Sequence, residues 1–267
     1  MNSRDKRVCK QLNIWTVANQ KGGVGKTTTA VTLGGLLAQQ GKRVLLVDTD
    51  PHASLSYYFG IDSESLDYSI YDVFIQPEKF TGKVLLDALC STNVPGLLVL
   101  PATMALATLD RKMGMESGKG LILKKALASI QHQFDYVLID CPPILGVSMV
   151  NALASSNRII VPVQTEHLAL KGLDRMMRTL KIMSKTMPEN IPISIIATMF
   201  DRRVNATIQA YTKLREDYPE YLWRGFIPTD TKFRDASQAQ VPASIFAPKC
   251  RGVFAYQKFL KDVASEG

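Results

Sequence analysis

The amino-terminal part of the chain contains a short segment in which glycines, lysines and threonines follow one another closely. Residues 19–29 read NQKGGVGKTTT. They follow an apolar run at residues 14–18 and overlap a segment with helical spacing at residues 27–40. A strand, a glycine loop and a helix in this order are typical of a nucleotide phosphate site. The residues that we predict to contact the nucleotide in this loop are Gln20, Lys21, Gly22, Gly23, Val24, Gly25, Lys26, Thr27 and Thr28.

The residue types in this loop match the chemistry of a bound phosphate chain. Gly22, Gly23 and Gly25 allow backbone N–H groups to converge on phosphate oxygens. Lys26 supplies a flexible ammonium group, and Thr27 supplies a hydroxyl ligand for Mg²⁺. The loop therefore predicts binding of ATP or GTP together with Mg²⁺.

Three aspartates stand at the ends of predicted strands. Asp48 and Asp50 follow the apolar run VLLV, and Asp140 follows the apolar run at residues 136–139 in the manner of a Walker B strand. A carboxylate at such a strand end can bind Mg²⁺ through water or orient an attacking water. Because Pro51 follows Asp50, a simple turn or helix start is the alternative interpretation. Two acids on one short loop favour the chemical role.

Short β-rich runs alternate with longer segments of helical spacing along the chain. This alternation predicts a single doubly wound α/β domain of the P-loop NTPase type, with a mainly parallel twisted sheet flanked by helices. Ligands in such folds bind beyond the carboxyl ends of the strands. The predicted strands are 14–18, 43–48, 97–100, 136–140, 158–163, 193–198 and 224–227. The predicted helices are 26–40, 119–132, 148–154, 168–185, 205–217 and 252–263, with an insertion of small helices at 63–92.

The phosphate loop departs from the general pattern G-x-x-x-x-G-K-[ST] at its first glycine. That position, five residues before Gly25, is Gln20, and a second lysine, Lys21, follows it. A lysine here resembles the deviant Walker A motif of the ParA/MinD superfamily of P-loop ATPases. The resemblance implies that Lys21 acts on the nucleotide of a partner subunit within an ATP-bound homodimer. It also implies that Asp50 positions the hydrolytic water and that Asp48 lies near the metal shell.

Three later blocks, at residues 161–173, 198–205 and 225–236, resemble ParA family proteins in the same order, so the resemblance covers nearly the whole chain. It implies that Pro228 and its neighbours form the adenine pocket, and hence that the nucleotide is ATP rather than GTP. The expected catalytic residues are Lys21, Lys26 and Asp50. The expected metal residues are Thr27, Asp48 and Asp140.

Four stretches, at residues 48–60, 104–114, 141–154 and 200–205, resemble the ParA-like proteins that position chemotaxis arrays at cell poles, often called ParC. The resemblance implies a bacterial protein whose cargo is a chemotaxis array or another polar scaffold. The alternative is a ParA-type chromosome or plasmid partition ATPase that binds DNA nonspecifically. In that alternative a family lysine is replaced by Val241, and the DNA-binding residues are Arg203, Lys232 and Arg251.

Composition adds broader constraints. The chain has 267 residues with 32 Lys and Arg against 24 Asp and Glu, a net charge of +8, which favours an anionic partner. It has no apolar run of about 18 residues and no apolar signal segment, so we expect no integral membrane association and a cytoplasmic protein, at a cell pole or on the nucleoid. We assign residues 1–12 to a basic extension and residues 13–264 to the ParA-like ATPase domain.

Cysteine and histidine placement argues against other site types. An iron–sulfur reductase with the same loop is a third class, but it needs a cysteine pair poised to bridge a cluster. No C-x-x-C pair that would indicate a disulfide framework, a zinc site or a cluster occurs among Cys9, Cys90, Cys141 and Cys250. The histidines form no recognisable catalytic or metal set with the acids and are predicted surface or loop residues: His52, His132 and His167.

Overall fold

One sheet organises the computed structural model, which describes residues 12–113, 119–184 and 191–265. Its strands are β1 (Asn13–Val17), β2 (Val44–Asp48), β3 (Cys90–Ser91), β4 (Leu97–Leu100), β5 (Tyr136–Asp140), β6 (Arg158–Gln164), β7 (Ile193–Phe200) and β8 (Leu222–Pro228). Their order is β3-β4-β2-β5-β1-β6-β7-β8. All neighbouring strands are parallel except the edge strand β3, which is antiparallel to β4. The predicted mainly parallel α/β sheet is confirmed.

Helices cover both faces of this sheet. One apolar core packs α1 and α12 against β1, β2 and β5, and the other packs α3, α6, α7 and α8 against the opposite face. In the described residues the α-helices are α1 (Lys26–Gln39), α2 (Ser54–Tyr58), α3 (Ile70–Ile75), α4 (Gly82–Asp87), α5 (Leu109–Met113), α6 (Ile122–Ser129), α7 (Val147–Ser155), α8 (His167–Met183), α9 (Asn205–Asp217), α10 (Lys232–Gln238), α11 (Ala243–Phe246) and α12 (Arg251–Ala264). None of them is both long and apolar enough to cross a membrane.

The register of the central strands brings the acidic residues together. β5 lies between β2 and β1, and Asp140 is paired with Asp48 on one side and with Val17 on the other. All five residues of β2 are buried, so the strand is fixed on both faces. Since parallel strands end at the same edge, the last residues of β2 and β5 and the loop after β1 meet at one place.

Helix α1 is packed tightly between the sheet and α11. A Cβ at Gly34 would lie 2.8 Å from Leu46 Cδ2, and a Cβ at Gly35 would lie 2.5 Å from Pro242 Cβ. Only glycine permits this close approach at the two positions. The close packing fixes the amino-terminal end of α1, to which the phosphate loop is attached.

The predicted elements differ from the structure in detail. The predicted helix at 119–132 is shorter, because Ile130 is buried and leaves helical geometry at φ −120°, so that α6 ends at Ser129. The insertion at 63–92 contains α3 and α4 as expected, and also β3. Leu12, which we placed in the basic extension, is buried in the core, whereas residues 1–11 and residue 185 of the predicted helix lie outside the described residues.

Candidate nucleotide-binding site

The phosphate loop between β1 and α1 is open at its centre. Gly23 and Gly25 have φ angles of 74° and 90°, which residues with a Cβ rarely adopt. Gly22 has no such angle, and a Cβ there would meet nothing within 4 Å. The protein itself therefore gives no steric reason for glycine at position 22. The open space beside Gly22 suits a ligand that approaches the backbone closely.

The amino-terminal end of α1 faces this space. Gly25 precedes the helix, and no side chain of the described residues caps it with a hydrogen bond. The first N–H groups of a helix lack partners within the helix, and they favour an anion at this end. The loop and α1 thus offer backbone donors to a phosphate group.

Hydrogen bonds to other elements fix the loop in place. Thr198 Oγ1, on β7, donates to the carbonyl oxygen of Val24 over 2.9 Å. Thr29 Oγ1 donates to the carbonyl oxygen of Gly25 over 2.7 Å. The loop therefore has a defined shape before any ligand binds, which lowers the entropy cost of binding.

The predicted Lys26 lies over the loop and is largely buried, with 8% of its surface exposed. Its Nζ donates to the carbonyl oxygen of Lys21 over 3.2 Å, which bends the side chain back across the glycines. The ammonium group is therefore placed where a phosphate oxygen would meet it.

The two predicted metal residues Thr27 and Asp140 are in direct contact. Thr27 Oγ1 donates to Asp140 Oδ2 over 2.6 Å. Asp140 Oδ1 is buried and has no hydrogen-bond partner in the described residues. Burial, and then the nearby Asp48 charge, raise the pKa of Asp140 to about 8 against the opposing effects of the Thr27 hydrogen bond and the Lys26 charge.

These residues fit a magnesium ion. An unpartnered buried carboxylate oxygen is costly, and a cation or its bound water would satisfy Asp140 Oδ1. The part of the chain that the structure describes has no cluster of three His, Cys, Asp or Glu side chains that could bind a metal unaided. Mg²⁺ commonly takes few protein ligands and completes its shell with substrate phosphates and water. Thr27 and Asp140 together meet that requirement.

Asp48 has a different environment from Asp140. Its Oδ2 accepts hydrogen bonds from Ser56 N at 2.9 Å and Ser56 Oγ at 2.8 Å, and its Oδ1 accepts one from Asp50 N at 3.1 Å. Burial raises its pKa to about 6, and these hydrogen bonds limit the rise. Asp48 thus ties the loop after β2 to α2. No sequence motif marks Ser56, because its role depends on this packing.

Asp50 stands beyond Asp48 with 14% of its side chain exposed. Its Oδ1 accepts a hydrogen bond from His52 N at 2.9 Å and lies 2.8 Å from His52 Nδ1. His52 is exposed, as predicted, yet it contacts a predicted catalytic residue, which the sequence analysis did not anticipate. The sequence Asp50-Pro51-His52 could have predicted this contact, because a turn at Asp-Pro brings the next residue back toward the aspartate.

Lys21 and Gln20 are directed toward α8 rather than toward the centre of the loop. Lys21 Nζ forms an ion pair with Glu166, at the start of α8. Gln20 Nε2 donates to Thr179 Oγ1 over 2.8 Å, so its side-chain amide is engaged with the same helix. Glu166 is a second residue that the sequence analysis did not single out.

A cavity of about 280 Å³ adjoins the loop at the side of β8. It combines a residue of the loop end, Gly25, with the predicted contacts Thr28 and Pro228 and with the rings of Phe233 and Tyr256. An apolar cavity beside a phosphate site has the character expected for a nucleobase.

The predicted DNA-binding residues are only partly brought together. Arg203 and Arg251 line one cleft of about 760 Å³, while Lys232 lies on α10. Arg203 forms an ion pair with Asp201 at 2.7 Å, and Lys232 forms one with Asp235 at 2.8 Å. Two of the three cations are thus paired within the chain.

The chain is similar in sequence to a known protein family and to individual members of known function. A family model described as an AAA domain matches residues 12–193. The sporulation initiation inhibitor protein Soj of Bacillus subtilis is 34% identical over 255 residues, which cover 95% of this chain and 99% of Soj. The chromosome partitioning protein ParA of Caulobacter vibrioides is 35% identical over 257 residues, which cover 95% of this chain and 94% of that protein.

A solved structure with bound nucleotide is similar to this chain in both fold and sequence. The crystal structure of cobyrinic acid a,c-diamide synthase from Mycobacterium smegmatis, with bound ATP analog and magnesium, matches with a TM-score of 0.79 at 32% identity. The match covers 95% of this chain and 94% of that chain. With its glycine loop, its paired strand-end acids and relatives that align over nearly their full length, the chain belongs to the ParA/MinD superfamily of P-loop ATPases.

Proposed function

We propose that this chain is a Mg²⁺-dependent ATPase that dimerises when ATP is bound and positions cargo inside the cell. The observation that carries the proposal is the environment of Asp140. One of its oxygens accepts a hydrogen bond from Thr27 at the phosphate loop, and the other is buried without a partner in the described residues. The related structure that binds an ATP analog and magnesium supports the same ligands for this chain.

The loop residues bind and orient the phosphates. Backbone N–H groups of the loop and of the first turn of α1 donate to phosphate oxygens, and Lys26 balances their charge. Thr27, through its hydroxyl, and Asp140, through its unpartnered oxygen, would hold Mg²⁺ beside the phosphates. When bound, Mg²⁺ neutralises phosphate charge and favours departure of the leaving group.

The two acids at the carboxyl end of β2, Asp48 and Asp50, have separate roles in this proposal. Asp50 orients the attacking water, because its carboxylate stands at the strand-end edge and is partly exposed. Asp48 fixes the loop that carries Asp50, since its two oxygens accept hydrogen bonds from Ser56 and Asp50. We therefore assign Asp48 a positioning role: it holds this loop beside the predicted metal site. Pro228 and Thr28 contribute to the adenine pocket.

Dimerisation gives Lys21 its role. Within one chain its ammonium group pairs with Glu166 and does not contact the loop centre. We propose that Lys21 leaves this pair in the ATP-bound dimer and contacts the partner's nucleotide. Hydrolysis would then return the protein to monomers and release the cargo.

Calorimetry tests nucleotide binding. We expect ATP with Mg²⁺ to bind the full chain and Lys26→Ala to bind no detectable ATP, because the buried ammonium group is lost. The matched control is Lys125→Ala, on the exposed face of α6, which should bind as the unaltered chain does. GTP should compete weakly. Absence of heat with the unaltered chain, or normal binding by Lys26→Ala, would refute the nucleotide site.

Two cargoes have separate support. The name of the Caulobacter vibrioides relative, chromosome partitioning protein ParA, favours DNA as the cargo or as a binding surface. The four stretches that resemble array-positioning proteins favour a chemotaxis array or polar scaffold, and this second assignment rests on the sequence alone. Both cargoes are compatible with an ATP-dependent positioning ATPase.

The cleft that contains Arg203 and Arg251 is the surface that we propose for DNA. Arg202 also lines it, with its guanidinium 5.3 Å from the centre of the Phe226 ring. Contacts of such cations with phosphates would give affinity that tolerates any sequence and decreases with salt. Because Asp201 pairs with Arg203, DNA must compete with that carboxylate.

Fluorescence anisotropy with duplex DNA separates the two cargoes. If DNA is bound, affinity should require ATP, decrease with salt, and be reduced several-fold by Arg251→Ala but not by Lys125→Ala. If no ATP-dependent binding occurs even at low salt, DNA is excluded. A fluorescent fusion that forms polar foci would then support the array assignment, and a diffuse signal would oppose it.

A further inference from the structure

The turn after Asp50 has a defined geometry. Ala53 N donates to the carbonyl oxygen of Asp50 over 2.9 Å, which closes a four-residue turn with Pro51 at its second position. Proline at this position presets the backbone angle that such a turn needs. His52 is therefore held at a fixed place relative to the Asp50 side chain.

Two donors from one residue reach the same oxygen of Asp50. His52 N donates to Oδ1 over 2.9 Å, and the ring nitrogen Nδ1 lies 2.8 Å from that oxygen. A ring nitrogen that faces a carboxylate at this distance carries the proton, so Nδ1 is the second donor. In the described part of the chain, no hydrogen bond to the other oxygen, Oδ2, is found.

This arrangement limits rotation of the carboxylate. The terminal torsion of an aspartate is broad and nearly twofold, so an unrestrained carboxylate exchanges its two oxygens. One backbone donor restrains Oδ1 weakly, and a second donor from the ring restrains it from another direction. Oδ2 of Asp50 is then the oxygen that remains available to a water molecule.

The His52 ring contributes little else to the fold. Its side chain is 80% exposed, so burial of the ring adds little stability. It lies at the rim of a cleft of about 440 Å³ that is also lined by Asp50, Tyr57, Met104 and Ile144. The contact with Asp50 is therefore the ring's main described interaction, and a substitution tests that contact with little disturbance of the core.

We propose that His52 is a positioning residue for ATP hydrolysis. Its imidazole and its own N–H hold Oδ1 of Asp50, so that Oδ2 accepts a hydrogen bond from the attacking water. The inference rests on the proposed ATPase function and on the role of Asp50 in it. It places a functional contact at a histidine that forms no triad or metal site.

The test is single-turnover hydrolysis by the full chain, with the ATP dissociation constant measured separately by calorimetry. His52→Ala should lower the hydrolysis rate about tenfold and change the dissociation constant less than about twofold, because a positioning contact acts on the reacting geometry. His52→Asn should recover a rate within about threefold of the unaltered chain, since its amide nitrogen can replace Nδ1 as donor. His132→Ala, at another exposed histidine, should leave the rate unchanged.

Three results would overturn the inference: an unchanged rate for His52→Ala, an equal loss for His52→Asn, or a loss of ATP affinity that accounts for the slower rate. Each of these can occur while the unaltered chain binds and hydrolyses ATP, so the proposed function would stand. If the unaltered chain does not hydrolyse ATP, both the proposed function and the role of His52 are wrong.

Discussion

At the scale of single residues, Asp48 and Asp140 lie side by side but differ in what satisfies their oxygens. Asp48 accepts hydrogen bonds at both oxygens, whereas Asp140 has one buried oxygen without a partner in the described residues. Burial raises the pKa of both carboxyl groups, to about 6 and about 8. The contrast suits a structural role for Asp48 and a ligand-facing role for Asp140.

The raised pKa of Asp140 predicts a pH effect on stability. Its folded pKa is about 8 against an ordinary value of 3.8, so between these values the folded protein holds a proton that the unfolded chain has released. Nucleotide-free stability should therefore decrease as pH rises from about 4 to about 8. Urea unfolding at several pH values should show a shallower decrease for Asp140→Asn. Equal pH dependence of the two proteins would contradict this prediction.

Residue-level prediction from the sequence depends on contacts that are local. The glycines, Lys26 and Thr27 stand within one loop, so their spacing alone is enough to predict a phosphate site there. Glu166 lies 145 positions after Lys21, and the ion pair between them exists only because β6 brings the start of α8 beside β1. No local pattern contains that information.

At the scale of elements, strand register assembles the site. The apolar runs and helical segments were sufficient to predict the parallel sheet. The pairing of Asp48 with Asp140 was not predicted, because it depends on the strand order that places β2 beside β5. The two-residue strand β3 and the short helices α2, α5, α10 and α11 were not predicted. Elements of this length are stabilised by tertiary packing rather than by a periodic pattern.

The attachment of α2 to β2 can be tested at Ser56. Its Oγ donates to Asp48 Oδ2 over 2.8 Å and accepts a hydrogen bond from Ala102 N over 3.0 Å. Ser56→Ala leaves both buried partners with fewer hydrogen bonds, so urea unfolding should show a loss of about 1–3 kcal/mol. Ser65→Ala, at an exposed serine, should change stability by less than about 0.5 kcal/mol. Equal effects of the two substitutions would show that the Ser56 contacts are unimportant.

At the scale of the whole molecule, the pairing of Lys21 with Glu166 opposes dimerisation in our account. The pair is partly exposed, with 26% and 42% of the two side chains accessible, so its contribution is modest. Lys21 must leave this partner before it contacts a second subunit. The same residue can thus stabilise the monomer without nucleotide and the dimer with ATP.

Removal of the Glu166 charge should favour the dimer. Each subunit contains one such pair, and Glu166→Gln weakens each by up to about 1 kcal/mol, or about 2 kcal/mol per dimer, so ATP-dependent dimerisation should occur at a protein concentration up to about thirtyfold lower. Analytical ultracentrifugation across a concentration series measures this shift. Glu78→Gln, at an exposed glutamate between α3 and α4, is the matched control and should not shift it. A weaker dimer for Glu166→Gln would contradict the proposed competition.

The dependence of dimerisation on ATP can be measured by the solution mass of Asp50→Ala with ATP and Mg²⁺. This variant should bind ATP without hydrolysing it, so light scattering after size-exclusion chromatography should give twice the monomer mass. With ADP it should give the monomer mass, and Lys21→Ala combined with Asp50→Ala should stay monomeric with ATP. A monomer for Asp50→Ala at saturating ATP, or a dimer that forms equally well without Lys21, would contradict the account.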